Sequence, residues 1–197
     1  MIGFGYRFRR LGRGRPDRFE SEGRKQKMSY EELNSALSAL IADVPHPLAN
    51  LANASALLWN SLDDLNWAGF YLLASPSLLV LGPFQGKPAC IEIPVGRGVC
   101  GTAAERNETV AVPDVHLFPG HIACDSASAS EIVVPLRLSS GTGTGTKGRV
   151  VGVMDLDSPT PGRFTNEDRA GLERFAAILS ASLPPAFPSD LIGTVPN

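Results

Sequence analysis

Trp67-Ala68-Gly69-Phe70-Tyr71-Leu72-Leu73 and Leu78-Leu79-Val80-Leu81-Gly82-Pro83-Phe84, joined by Ala74-Ser75-Pro76-Ser77, are two short apolar runs around a turn, and they read as a β-hairpin. Upstream of them the periodicity is helical. Ser29 and Glu32 have capping-box spacing, and Leu33, Leu37, Leu40 and Ile41 make one apolar stripe over residues 30–42. After Pro45-His46-Pro47 a second helical pattern through Leu48, Leu51, Ala52, Ser55, Leu58, Trp59 and Leu62 runs to Asp63. Downstream the chain predicts a strand at 89–93, a glycine-flanked helix at 98–106, a strand at 109–112 and a long loop at 113–129. Strands at 131–138 and 149–156 follow. A last helix starts at Thr165, with Asp168 at N3 where an acid suits the dipole, and buries Leu172, Phe175, Ala176 and Leu179. Two helices, an antiparallel sheet with crossover segments and a terminal helix predict a single α+β domain over 29–183.

At 197 residues and 43% hydrophobic content, the chain is long enough to bury a real core. No apolar run approaches the roughly 18 residues of a membrane span, so no membrane partner is expected. The net charge of −2 hides an asymmetry. Residues 1–27 carry nine Arg/Lys and three Asp/Glu, leaving nine basic and seventeen acidic residues in the body, which makes nucleic acid a poor partner. Residues 1–28 read as a disordered basic extension. An Arg-rich start also suits mitochondrial targeting, but Asp17, Glu20, Glu22 and the shortage of serine argue against it, and Met28 offers an alternative start. Residues 139–148 read as a Gly/Thr-rich loop insertion, and its alternating glycines lack the GK[ST] of a phosphate loop. Residues 184–197 read as a Pro-rich flexible tail. Three cysteines, no CxxC and no secretory h-region near the start favour a reducing compartment, the cytoplasm, where a dithiol is redox-active. Three cysteines and three histidines without paired short spacings predict no metal site.

The chemistry concentrates in a few residues. In Phe118-Pro119-Gly120-His121-Ile122-Ala123-Cys124-Asp125 a thiol stands in a polar loop, the setting of a reactive cysteine. Cys100 is a rival: in the first turn of the 98–106 helix, free amides and the helix dipole favour a thiolate. Cys90 opens the apolar run Cys90-Ile91-Glu92-Ile93. Asp155 and Asp157 are two apart on one strand and so face the same side, inside an otherwise apolar run where acids are costly without a task. If Glu131 lies opposite them, repulsion raises at least one pKa and supplies a protonated acid. Trp67 and Tyr71, four apart, also share a face. His121 shapes the loop or its potential, and His46, between two prolines, belongs on the surface.

The Trp67–Tyr71 run, Gly98-Val99-Cys100-Gly101-Thr102-Ala103, the 118–125 loop and Gly152-Val153-Met154-Asp155-Leu156-Asp157-Ser158 together resemble the free methionine-(R)-sulfoxide reductase family, which has the GAF fold. The resemblance covers about residues 29–182. It implies reduction of free L-methionine (R)-S-oxide with no bound cofactor and thioredoxin as external reductant. It makes Cys124 the nucleophile and Cys90 its resolving partner, with Cys100 a second resolving cysteine or rival nucleophile. Glu131, Asp155 and Asp157 become the acid and the ammonium ligands. Trp67 and Tyr71 form the methyl pocket, with Ile122 and Ala123 on the substrate side. By analogy with other GAF domains a homodimer through the helices is expected. The competing class is a GAF module that binds a small molecule without turning it over, but the cyclic-nucleotide and bilin signatures of such modules are missing. A degenerate member acting as an interaction protein is the third class, and retention of all three cysteines and all three acids argues against it.

Overall fold

The structure, a computed structural model, describes residues 28–122, 126–138 and 148–189. Two helices come first. Helix α1 (Tyr30–Ile41) has a complete capping box: Ser29 Oγ accepts from the Glu32 N–H while the Glu32 carboxylate accepts from the Ser29 N–H. Helix α2 (Pro47–Ser61) starts on Pro47, whose missing N–H costs nothing at N1. Then follow β1 (Trp67–Ser75), β2 (Leu78–Gly86), β3 (Glu92–Pro94), α3 (Gly98–Arg106), β4 (Val110–Val112), a 3₁₀ turn at Val115–Leu117, β5 (Ser130–Leu138), β6 (Arg149–Ser158) and α4 (Asn166–Ala181). The six strands pair in the order β3-β2-β1-β6-β5-β4, antiparallel throughout. The α+β expectation therefore holds.

Period-two alternation divides the sheet into two faces with separate cores. Ala68, Phe70 and Leu72 of β1, Ile132, Val134 and Leu136 of β5, and Met154 and Leu156 of β6 pack on α1, α2 and α4 through Leu33, Leu51, Leu58 and Phe175. The opposite face presents Trp67, Tyr71, Val133 and Val153, covered by Val99, Cys100 and Ala103 of α3 and by Val115. At the helical end, Tyr30 Oη donates to Asp168 Oδ1 at 2.7 Å, tying α1 to the N-terminus of α4. The cleft belongs to the second face.

Two expectations need correction. The strand expected at 89–93 begins at Glu92, and Ile91 is 71% exposed. Its ladder runs from Leu78–Pro94 to Val80–Glu92, with one further bond from the Leu81 N–H to the Ile91 carbonyl. Beyond it Pro83 has no N–H to extend the pairing, so Cys90 lies outside the strand. The tail expected to be flexible from residue 184 packs on the domain as far as 189: Phe187 is 1% exposed in the first core, and Arg149 Nη2 donates to the Pro185 carbonyl at 3.2 Å. An aromatic ring next to a free core surface gains more from burial than its chain loses by ordering. The basic extension 1–27, residues 139–147 of the insertion and residues 190–197 of the tail lie outside the described residues.

Candidate functional site

The strand register builds the site. Trp67 of β1 stands opposite Asp157 of β6, which stands opposite Glu131 of β5; one step on, Gly69, Asp155 and Val133 line up in the same way. Three carboxylates and the aromatic residues thus share one face; the alternation predicted this within β6 for Asp155 and Asp157 and within β1 for Trp67 and Tyr71, and the strand pairing adds Glu131. Trp67 is stacked between Tyr71, 5.8 Å away at 23°, and Phe84, 5.3 Å away at 13°. Gly69 makes this stack feasible, because a Cβ there would lie 2.7 Å from the Trp67 ring and 2.3 Å from Phe84 Cβ. Tyr71 Oη donates to the Cys90 carbonyl at 3.0 Å and fixes that loop against β1. Trp67, Tyr71 and the three carboxylates line a cleft together with Val99, Cys100, His121 and Ile122.

At the cleft floor Cys100 Sγ donates to Asp155 Oδ2 at 3.2 Å, and Glu131 Oε1 lies 3.9 Å away. Burial raises the Glu131 carboxyl well above the ordinary carboxylate range, and the charges of Asp155 and Asp157 push the same way. Burial also lifts Asp155, to about 7, although hydrogen bonds with Cys100 and Glu131 oppose the rise. At neutral pH the two acids together retain a proton. The Cys100 thiol is pushed well up as well, first by burial and then by Asp155 and Glu131. The expectation that the α3 terminus would make it a ready thiolate is overturned: burial first, and then the two acids, outweigh half a charge of helix dipole.

His121, Ile122 and Ser128 close one side. Asp114 caps its 3₁₀ turn by accepting from the His116 N–H, and Phe118 and Ile122 pack into the second core. Gly98, at φ +60°, begins α3 where a Cβ would press on Ile122 at 3.3 Å. His121 Nε2 lies 3.8 Å from Glu131 Oε2, and burial holds its pKa below the usual value. His116 faces solvent and pairs with Asp114. Cys90 is disulfide-bonded and Cys100 is a free, buried thiol. Ala123 and Cys124 lie outside the described residues. Sequence reasoning missed Phe84, the third ring of the wall, whose signal was its place on the hairpin strand beside Trp67. It also placed Cys100 on the helix terminus without placing it on the acids. Among the described residues Cys100, Glu131 and Asp155 form the group able to hold a metal ion, their ligand atoms all within 4.8 Å of one another. No helix among these residues is long and apolar enough to cross a membrane.

The GAF domain model matches residues 33–183. The free methionine-R-sulfoxide reductase of Escherichia coli (strain K12) is 54% identical over 154 residues, 78% of this chain and 88% of its own. The structure of the fRMsr of Staphylococcus aureus in complex with substrate superposes with a TM-score of 0.71 at 46% identity, covering 79% of this chain and 95% of its own. That of the free methionine-R-sulfoxide reductase from Neisseria meningitidis with its substrate gives 0.70 at 43% identity, covering 78% and 87%. The chain is a GAF-domain protein and belongs to the free methionine-R-sulfoxide reductase family.

Proposed function

We propose that this chain reduces free L-methionine (R)-S-oxide to L-methionine. The observation that carries the reading is the row of Glu131, Asp157 and Trp67 across three adjacent strands, with Asp155 one step away: a proton source and an aromatic wall face one small cleft. Reducing a sulfoxide takes a thiolate to attack sulfur, a proton for the oxygen and a second thiol to clear the sulfenic acid. In this reading Cys124 attacks and takes the oxygen as Cys–SOH while methionine leaves. Cys90 then displaces water to form a disulfide, and thioredoxin reduces it, so two electrons pass from the dithiol to the sulfoxide. The Glu131–Asp155 pair supplies the proton, and the remaining carboxylate charge with Asp157 holds the substrate ammonium, which accounts for a preference for the free amino acid. Trp67 and Tyr71 receive the S-methyl group, with Ile122 and Ala123 beside it. The proposal needs no bound cofactor, places the protein in the cytoplasm, and includes a homodimer by analogy with other GAF domains.

The test is a coupled assay. Racemic methionine sulfoxide, thioredoxin, thioredoxin reductase and NADPH are mixed with the protein, and methionine and residual sulfoxide epimers are quantified. Consumption of half the racemate, all of it R, is expected. Binding of the sulfoxide without any methionine formed would identify a sensing module instead.

A further inference from the structure

We infer that Cys100, Glu131 and Asp155 form a site for one borderline divalent cation, zinc foremost, whose occupation shuts the cleft to substrate. Short sequence spacings predicted no metal site; the tertiary structure assembles one from α3, β5 and β6. Cys100 Sγ is 3.2 Å from Asp155 Oδ2 and 3.9 Å from Glu131 Oε1. A tetrahedral zinc with Zn–S of about 2.3 Å and Zn–O of about 2.1 Å requires sulfur–oxygen edges of about 3.6 Å, between the two observed values. Glu131 and Asp155 sit on directly paired strands, and α3 packs on both, so the three donors are held by regular structure and need no loop movement.

A second observation, on Asp155 itself, points to a ligand. Asp155 is 6% exposed and lines the cleft, yet its Oδ1 meets no hydrogen-bond donor. A buried carboxylate oxygen without a donor is costly, and a cation that Asp155 binds through both oxygens supplies what Oδ1 lacks. One thiolate with two carboxylates suits zinc or cobalt. Magnesium and calcium, which take oxygen ligands in larger number, fit poorly. Three protein donors leave the fourth tetrahedral position to water. On binding, the thiol proton and the proton retained by the Glu131–Asp155 pair pass to solvent, and no electron moves. Because the cation and a substrate ammonium need the same carboxylates, zinc excludes the amino acid.

The test uses the full-length protein in its disulfide form, so that the cysteine pair cannot take the metal. Titration with Co²⁺ should give one equivalent bound and a thiolate-to-cobalt charge-transfer band in the near ultraviolet, which Zn²⁺ then bleaches. Cys100→Ser should lose the band, and Asp155→Asn should weaken binding at least about tenfold. The double variant Cys90→Ser/Cys124→Ser, which retains Cys100 alone, should keep the band and covers the case in which Cys100→Ser fails to fold. Absence of the band in the parent disulfide form, its survival in Cys100→Ser, or its loss in the folded double variant overturns the inference. Binding is read without turnover, so a protein that takes cobalt but leaves methionine sulfoxide intact retains this site and loses the reductase reading, and the opposite result does the reverse.

Discussion

A carboxyl group donates a proton at neutral pH only if its surroundings oppose ionisation, and Glu131 and Asp155 meet that condition by burial and by facing each other. Glu131→Gln should therefore lower kcat by at least about 100-fold, measured with a saturating thioredoxin system. The sign of the pH dependence follows from the direction of the shift. An acid lifted to about 7 is protonated below that value, so kcat/KM should hold at lower pH and fall as pH rises through about 7; in Asp155→Asn this limb should disappear. An unchanged profile in that variant would remove Asp155 from the proton-donating pair. Trp67 is sandwiched between Tyr71 and Phe84 and cannot tilt to follow a ligand, so it acts as a wall. Trp67→Ala should raise KM for the R epimer by about 10- to 200-fold, the range for an apolar pocket contact, and narrow the gap between epimers, both read from initial rates on resolved sulfoxides.

Among the elements, α4 shows how one acid joins two helices and a loop. Asp168 completes the Thr165 capping box, accepts from Tyr30 Oη on α1, and accepts from Arg163 Nη1 at 3.0 Å. Burial works against its charge, yet the Thr165, Tyr30 and Arg163 hydrogen bonds together hold its pKa down to about 2. A depressed folded-state pKa contributes stability above the unfolded value near 3.8, and that stability is lost as pH falls toward 2. Asp168→Asn should cost about 2 kcal/mol at pH 7 and much less at pH 2, as urea midpoints at the two pH values would report. An equal loss at both would mean that packing, not charge, is the source. These connections were partly legible: the Thr165–Asp168 spacing announces the cap, whereas Tyr30, 138 residues from Asp168, gives no sign of its partner.

For the whole molecule, one sheet separates a purely structural core from a functional one. The first face is closed by α1, α2, α4 and Phe187; the second, under α3, carries the acids. Phe187→Ala should cost about 3 kcal/mol or more in thermal unfolding, because it opens a void in the first core far from the cleft. Its kcat/KM for the sulfoxide should stay near that of the parent at temperatures where both are folded. A mutant with parental stability would restore the boundary at 183 read from the sequence. Proline richness pointed to a loose tail, and composition alone could not reveal that the ring of Phe187 finds a pocket in the domain.

The chain's own periodicity determined the α+β class, the helix caps, the hairpin, and the common face of Asp155 and Asp157, since each rests on residues within a turn or two of one another. The family resemblance rested on local motifs for the same reason. The tertiary structure alone decided that Glu131 meets Asp157, that Phe84 closes the aromatic stack, and that Cys90 lies outside its strand. It also decided the character of Cys100, whose burial, reinforced by two acids 31 and 55 residues away, reverses the effect of its helix terminus. A thiol's pKa is set by whatever is folded against it, and strand order, which brings those charges within a few ångströms, leaves no local mark in the sequence.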